Sequence, residues 1–259
     1  MMRRTWIDRC LLAAALVLGW QGLSWMAGPY WVSSPALVAT RLWAMLGNGD
    51  LWFHGRFTVG EALGGFLLGA VPGCLVAMML RRHPLLGAAV ETVAAVGYAV
   101  PKTALVPLFI LWLGVGPGAK VALVASAIFF IVFYSTLRGV RAIDERLLLS
   151  ARVFGASEGQ LLRLVVWPAV VPYVFGGLRV AVPYAIAGAI VGEIISSNRG
   201  LGYLAQYGAM DFDTTLIFAA LASVMVIVLL LNGALLLVQQ RLLRWQSDQS
   251  PLAEHAAGA

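Results

Sequence analysis

Apolar runs long enough to cross a bilayer recur along the chain, parted by short polar stretches. Runs at 10–27, 57–80, 119–137, 170–195 and 216–238 each come close to the ~20 apolar residues that an α-helix needs to span about 30 Å of hydrocarbon. Residues 84–114 exceed one straight crossing and carry Pro101 and Pro107. A proline removes one backbone hydrogen bond and kinks a helix, and such a break survives in a membrane only where protein or a water-filled cavity covers it. Counting that stretch as one broken crossing predicts six transmembrane helices in an all-α polytopic bundle. Between the first two runs, residues 35–46 predict a short amphipathic helix with Leu37, Leu42, Trp43 and Leu46 on its apolar side. The second run holds Gly60 and Gly64, then Gly65, Gly69 and Gly73. Glycines four apart make a flat stripe against which another helix backbone can lie.

One long charged interruption, residues 138–168, stands between two such runs. Asp144 is placed to cap a helix over 145–154 by accepting from a free N–H. Gly155 suits the helix C-terminus, where positive φ costs little without a Cβ. Ser157 and Gln160 form a capping box that starts a second helix. Leu147, Leu148, Ala151 and Phe154 fall on one face by spacings of three and four, while Arg146, Arg152 and Arg163 add positive charge. By pattern alone this fits equally a basic helix lying in the headgroup layer and one that docks on a soluble partner.

Composition agrees with a membrane protein. The 259 residues are 61% hydrophobic and 12% charged, with mean hydropathy +0.86, against about 45–50% and about 25% in soluble domains. The net charge of +6 sits in flanks between apolar runs and does not call for nucleic acid. Of the 18 basic residues, twelve (Arg3, Arg4, Arg9, Arg81, Arg82, Arg138, Arg141, Arg146, Arg152, Arg163, Arg241, Arg244) fall on one predicted side. Four (Arg41, Arg56, Lys120, Arg199) fall on the other, and Lys102 and Arg179 lie within runs. That bias predicts cytoplasmic termini and a cytoplasmic 138–168 loop. Run 10–27 follows a basic head and is long with a poor cleavage site, so it reads as a retained membrane helix. Cys10 and Cys74 lie apart in apolar runs and form no metal or redox motif. The chain divides into an N-terminal membrane helix and outer connection (1–56), a core (57–238) and a cytoplasmic tail (239–259).

The interruption resembles the cytoplasmic "EAA" loop of type I ABC importer permeases: Glu-Ala-Ala, three residues, Gly, nine residues, Ile, any residue, Leu-Pro. The chain has Leu149, Ser150 and Ala151, then three residues, Gly155, nine residues, and Val165, Val166, Trp167 and Pro168. The acidic residue of the motif is replaced by Leu149. Residues 100–116, with Val100-Pro-Lys, a Pro-Leu and Leu-Trp-Leu-Gly-Val-Gly, and the Gly-Leu-Gly-Tyr at 200–203 are similar to the nitrate, sulfonate and taurine branch. The resemblance implies coupling helices that dock on an ATPase, with Asp144, Leu147, Ser150, Ala151, Arg152, Gly155 and Pro168 as the coupling residues. It also implies two cytoplasmic ABC ATPase subunits, a second permease copy (a homodimer), a periplasmic or lipid-anchored solute-binding protein, and a bacterial inner-membrane location.

Ionisable groups inside a bilayer cost about 2.5–3.5 kcal/mol on insertion scales. Glu61 and Glu91 lie near the ends of their runs and are expected to snorkel. Lys102 sits beside the Pro101 kink. Arg179 and Glu193, fourteen positions apart, are expected on one face of the fifth helix. Lys102, Arg179 and Glu193 either line the translocation path or form an internal lock, with a Lys102–Glu193 ion pair as the simplest lock. No Gly-x-x-x-x-Gly-Lys-Ser/Thr is present, so ATP and Mg²⁺ are expected on a partner ATPase and no cofactor on this chain. The three histidines are scattered and make no zinc motif. The alternative class is a secondary transporter or channel that works without an ATPase; a membrane enzyme would need facing ionisable pairs, and the sequence assembles none.

Overall fold

The computed structural model describes residues 2–244. Among these residues the chain is helical, without strands. Helix α1 is Met2–Ala27, and α2 is Pro35–Gly47, N-capped by Ser34, whose hydroxyl accepts from the Leu37 N–H at 3.2 Å. Helix α2 buries Val38 and Met45, with Leu42 packed beside them, while Leu37, Trp43 and Leu46 face outward. The predicted apolar side was therefore rotated: the 38–42–45 stripe is the one that meets the bundle. Helix α3, Asp50–Leu80, begins inside the predicted connection and carries His54 and Arg56 as helical residues.

The stretch expected to form the third crossing is a broken pair: α4, Pro84–Ala99, a 3-10 turn at Lys102–Leu105, and α5, Val106–Leu113, bent by 82°. Pro101 lies in the break, in extended backbone. Pro107 is not a kink: it stands in the first turn of α5, where its missing N–H would have had no partner anyway. Helix α6 is Pro117–Arg141, α7 Glu145–Val153 and α8 Glu158–Leu161. A π-turn, Leu162–Val166, then leads without a gap into α9, Trp167–Ser196. Pro168 thus lies within a continuous 39-residue span from Glu158 to Ser196, not between two elements. The wider turn ahead of the proline, where the Trp167 N–H reaches the Leu162 carbonyl, gives the ring room that a regular α-turn would deny it. The predicted outer segment holds a helix of its own, α10, Leu201–Met210. Helix α11, Thr214–Leu242, is capped by Asp213, which accepts from the Leu216 N–H at 3.0 Å. Residues 239–242 of the predicted tail are helical, and 245–259 lie outside the described residues.

Among the described residues, five helices are long and apolar enough to cross a membrane, or six with the bent pair as one span. The core sits where α3, α6 and α9 cross, around Ala70, Val124, Ile128, Val132, Ala185 and Ile186. Small residues on α3 set that crossing. A Cβ at Gly65, Gly69 or Gly73 would lie 2.8, 2.5 and 2.6 Å from the carbonyl oxygens of Val121, Ala125 and Phe129 on α6. The stripe is those three: Gly60 faces open space and Gly64 makes ordinary contact. A second cluster joins α2, α10 and α11 at one end of the bundle, called here the far end; α7 and α8 lie at the loop end.

Candidate functional site

At the loop end, local sequence builds a rigid projection. Asp144 Oδ1 accepts from the Arg146 N–H at 2.8 Å and starts α7. Gly155, at φ +81°, ends it. The Gly155 N–H bonds the Arg152 carbonyl (2.9 Å) and the Ala156 N–H the Ala151 carbonyl (3.0 Å), the paired bonds of a Schellman C-cap. The capping box forms as expected, with the Gln160 N–H to Ser157 Oγ at 3.3 Å and the Ser157 N–H to Gln160 Oε1 at 2.7 Å.

The expected single apolar face of α7 is split. Leu148 and Ala151 pack on Leu161, Val166, Val170 and Val174. Leu147, Leu149, Val153 and Phe154 stand outward, Phe154 at 90% exposed, with Ser150 and Arg152 exposed among them. On so short a helix the docked edge is only one turn wide, and the rest of the stripe is left uncovered. Glu158 ties this projection down: its carboxylate meets Arg152 at 3.1 Å, Arg81 at 3.3 Å and Arg82 at 3.4 Å. Single exposed ion pairs contribute little, but this one joins the α3–α4 turn to the loop. Glu91 pairs with Arg141 and joins α4 to the end of α6.

At the far end lies a buried polar network. Glu193, 0% exposed, accepts from Thr58 Oγ1 and from the Gly202 N–H, each at 2.7 Å. Thr58 Oγ1 accepts from the Leu201 N–H at 2.9 Å, and His54 Nδ1 from the Gly200 N–H at 3.0 Å. Three side chains thus take the free N–H groups at the start of α10, and the carboxylate sits where the helix dipole favours negative charge. Gly200, at φ +108°, lies so close that a Cβ would overlap the Glu193 carboxyl. This accounts for the Gly-Leu-Gly at 200–202. Gly200→Ala is expected to lower stability by about 2–3 kcal/mol through positive φ and overlap together, read as a fall in melting temperature of the purified protein.

Lys120 and Glu61 complete the network. Their side chains are each 4% exposed and meet at 2.9 Å, and Lys120 also donates to Ser197 Oγ at 2.9 Å. Lys120 is therefore a buried bundle residue rather than an outer charge, and Glu61 does not snorkel. The Lys102–Glu193 pair, the simplest form of the lock alternative, does not form. Lys102 donates to the carbonyls of Gly97 and Val100 and lies 4.8 Å over the Phe130 ring, closing the C-terminal end of α4. Nor do Arg179 and Glu193 share an environment. Helix α10 covers the Glu193 end of α9, whereas Arg179 is exposed. Among the described residues, no three His, Cys, Asp or Glu side chains are placed to hold a metal ion.

Thr58, His54, Glu61 and Lys120 were the residues that sequence reasoning missed. One signal was available: Glu61 continues the four-residue series of Gly65, Gly69 and Gly73, the face that lies against α6.

The chain is thus an apolar helix bundle that holds one capped, ion-paired helix beside its crossings. Residues 65–246 match the family described as the binding-protein-dependent transport system inner membrane component, and the chain belongs to that family, as an ABC importer permease. It is 37% identical to the riboflavin transport system permease protein RibX of Chloroflexus aurantiacus, over 90% of this chain and 88% of that protein. It is 26% identical to the taurine transport system permease protein TauC of Escherichia coli, over 92% and 88%. Its fold is similar to that in inward facing conformations of the MetNI methionine ABC transporter, at TM-score 0.59 and 17% identity, covering 79% of this chain and 97% of that one. A bacterial alginate ABC transporter in complex with alginate pentasaccharide-bound periplasmic protein gives TM-score 0.63 at 14% identity, covering 93% and 96%.

Proposed function

We propose that two copies of this chain form the pathway of an importer for a small solute of the sulfonate, nitrate or taurine kind. A solute-binding protein delivers the solute outside, and two cytoplasmic ATPase subunits, which carry the ATP and Mg²⁺, drive the cycle. The observation that carries this reading is the exposed apolar knob on α7, Leu147, Leu149, Val153 and Phe154, presented on a helix capped at both ends and anchored through Glu158. An apolar patch held rigidly beside polar and basic residues is suited to a protein groove. In this reading Asp144 and Gly155 set the helix, Leu147, Ser150 and Arg152 touch the ATPase, and Ala151 and Pro168 pass its motion to α9. The arginine bias supports a cytoplasmic position for this loop and both termini; with Lys120 buried, only Arg41, Arg56 and Arg199 of the outer group remain.

The path runs along the exposed side of α9. An arginine well inside an apolar helix does not face lipid, and Glu61 and Glu193, the acids buried in the bundle, are enclosed within their own copy. Arg179 therefore faces water or the second copy, whereas Lys102 and Glu193, satisfied within one chain, act as locks. The identity to RibX favours a second reading of the solute, a flavin; uptake of labelled taurine against labelled riboflavin by the assembled transporter separates the two.

Phe154→Asp is expected to leave the protein in the membrane but to weaken copurification with its ATPase by about tenfold or more, as for a central interface residue, and to abolish ATP-dependent uptake. Uptake by the chain alone, without any ATPase, would instead establish the channel or secondary-transporter alternative.

A further inference from the structure

A groove of about 950 Å³ opens at the loop end between α3 and the start of α9. Its walls are apolar: Leu75 and Met79 from α3, half or more exposed, and Trp167 from α9. Its rim is cationic, with Arg81, Arg82 and Arg163. Arg81 and Arg82 share one carboxylate, Glu158, which also holds Arg152. No carboxylate among the described residues pairs with Arg163. The rim thus keeps an excess of positive charge beside an uncovered oily wall, at the level where the apolar part of α3 ends.

We propose that this groove binds an anionic phospholipid, with its phosphate at Arg82 and Arg163 and an acyl chain along Leu75, Met79 and Trp167. The match is one of charge and polarity together. A soluble anion would leave the wall bare, and a neutral lipid would leave the guanidinium excess uncompensated; basic pockets between helices at the cytoplasmic face suit acidic headgroups. On the orientation proposed above the lipid belongs to the inner leaflet, but its chemistry does not depend on that orientation. The site also has a consequence for coupling. Arg82, which would hold the phosphate with Arg163, also holds Glu158, so the lipid sits against the bond network that fixes the α7–α8 projection.

The assembled transporter in phosphatidylcholine nanodiscs, containing either brominated phosphatidylglycerol or brominated phosphatidylcholine at equal mole fraction, tests this. The difference in emission quenching between the unaltered protein and Trp167→Phe isolates the signal of Trp167. The expected result is about a tenfold stronger apparent affinity for the brominated phosphatidylglycerol, falling toward equality in the Arg82→Gln, Arg163→Gln double variant and retained in Arg163→Lys. Equal quenching by the two lipids overturns the proposal. So does the absence of Trp167 quenching by either, which would mean that protein, a second copy or the ATPase, fills the groove. Copurification of the ATPase, measured on the same samples, reports the coupling reading separately.

Discussion

Replacing Lys120 by methionine is expected to destabilise the bundle by about 3–5 kcal/mol, the cost of leaving a buried ionic partner alone. Glu61 would then keep a carboxylate that is 4% exposed, with Oε2 already lacking a hydrogen-bond partner among the described residues. Ser197 Oγ would lose its ammonium donor as well. At about 2–4 °C per kcal/mol for a chain of this size, the melting temperature should fall by roughly 10 °C. The diagnostic result is the double variant. Lys120→Met with Glu61→Gln removes both charges and should recover most of the loss, because replacing a buried pair is far cheaper than breaking it. If the double variant is no better than Lys120→Met, the pair is not what holds α3 to α6 at the far end. Thermal unfolding of the purified protein followed by size-exclusion chromatography gives the comparison directly.

The second large effect is expected from Gly69→Leu. Its Cβ would lie 2.5 Å from the Ala125 carbonyl oxygen and 2.9 Å from the Phe129 nitrogen. Those are backbone atoms of the central helix α6 and cannot swing aside as a flexible side chain would. The helices must separate, and separation opens the whole Gly65–Gly69–Gly73 contact, so the cost should reach or exceed the ~3 kcal/mol upper range of ordinary overpacking. Loss of the folded peak in detergent is the expected outcome. Gly60→Leu is the control on the same helix. Nothing lies within 4 Å of its Cβ position, so it should stay within about 0.5 kcal/mol of the unaltered protein. Equal damage from both would mean that helix propensity and membrane insertion, not the α3–α6 approach, set the outcome.

The difference between Gly60 and Gly69 shows how far the sequence could be read. Four-residue spacing correctly announces that α3 has a flat side. Which of the five glycines belong to it depends on where α6 crosses, and α6 reaches only three of them closely. The same holds for Glu61, which is on that series yet reads as an end-of-run residue until α6 brings Lys120 against it.

Residues that act on their near neighbours were legible without the fold. The crossings follow from run length, because a bilayer leaves a chain no other way to satisfy its backbone. Asp144, Gly155 and the Ser157–Gln160 box follow from helix-end geometry, since each serves an N–H or carbonyl within five positions of itself. Glu193 with Thr58, Lys120 with Glu61, and the burial of one side of α7 were decided only by tertiary structure. Their partners lie on other helices, 59 positions apart for Lys120 and Glu61 and 135 for Thr58 and Glu193. A side chain's periodicity says which neighbours share its face, but the packing of α3, α6 and α9 chooses what that face meets.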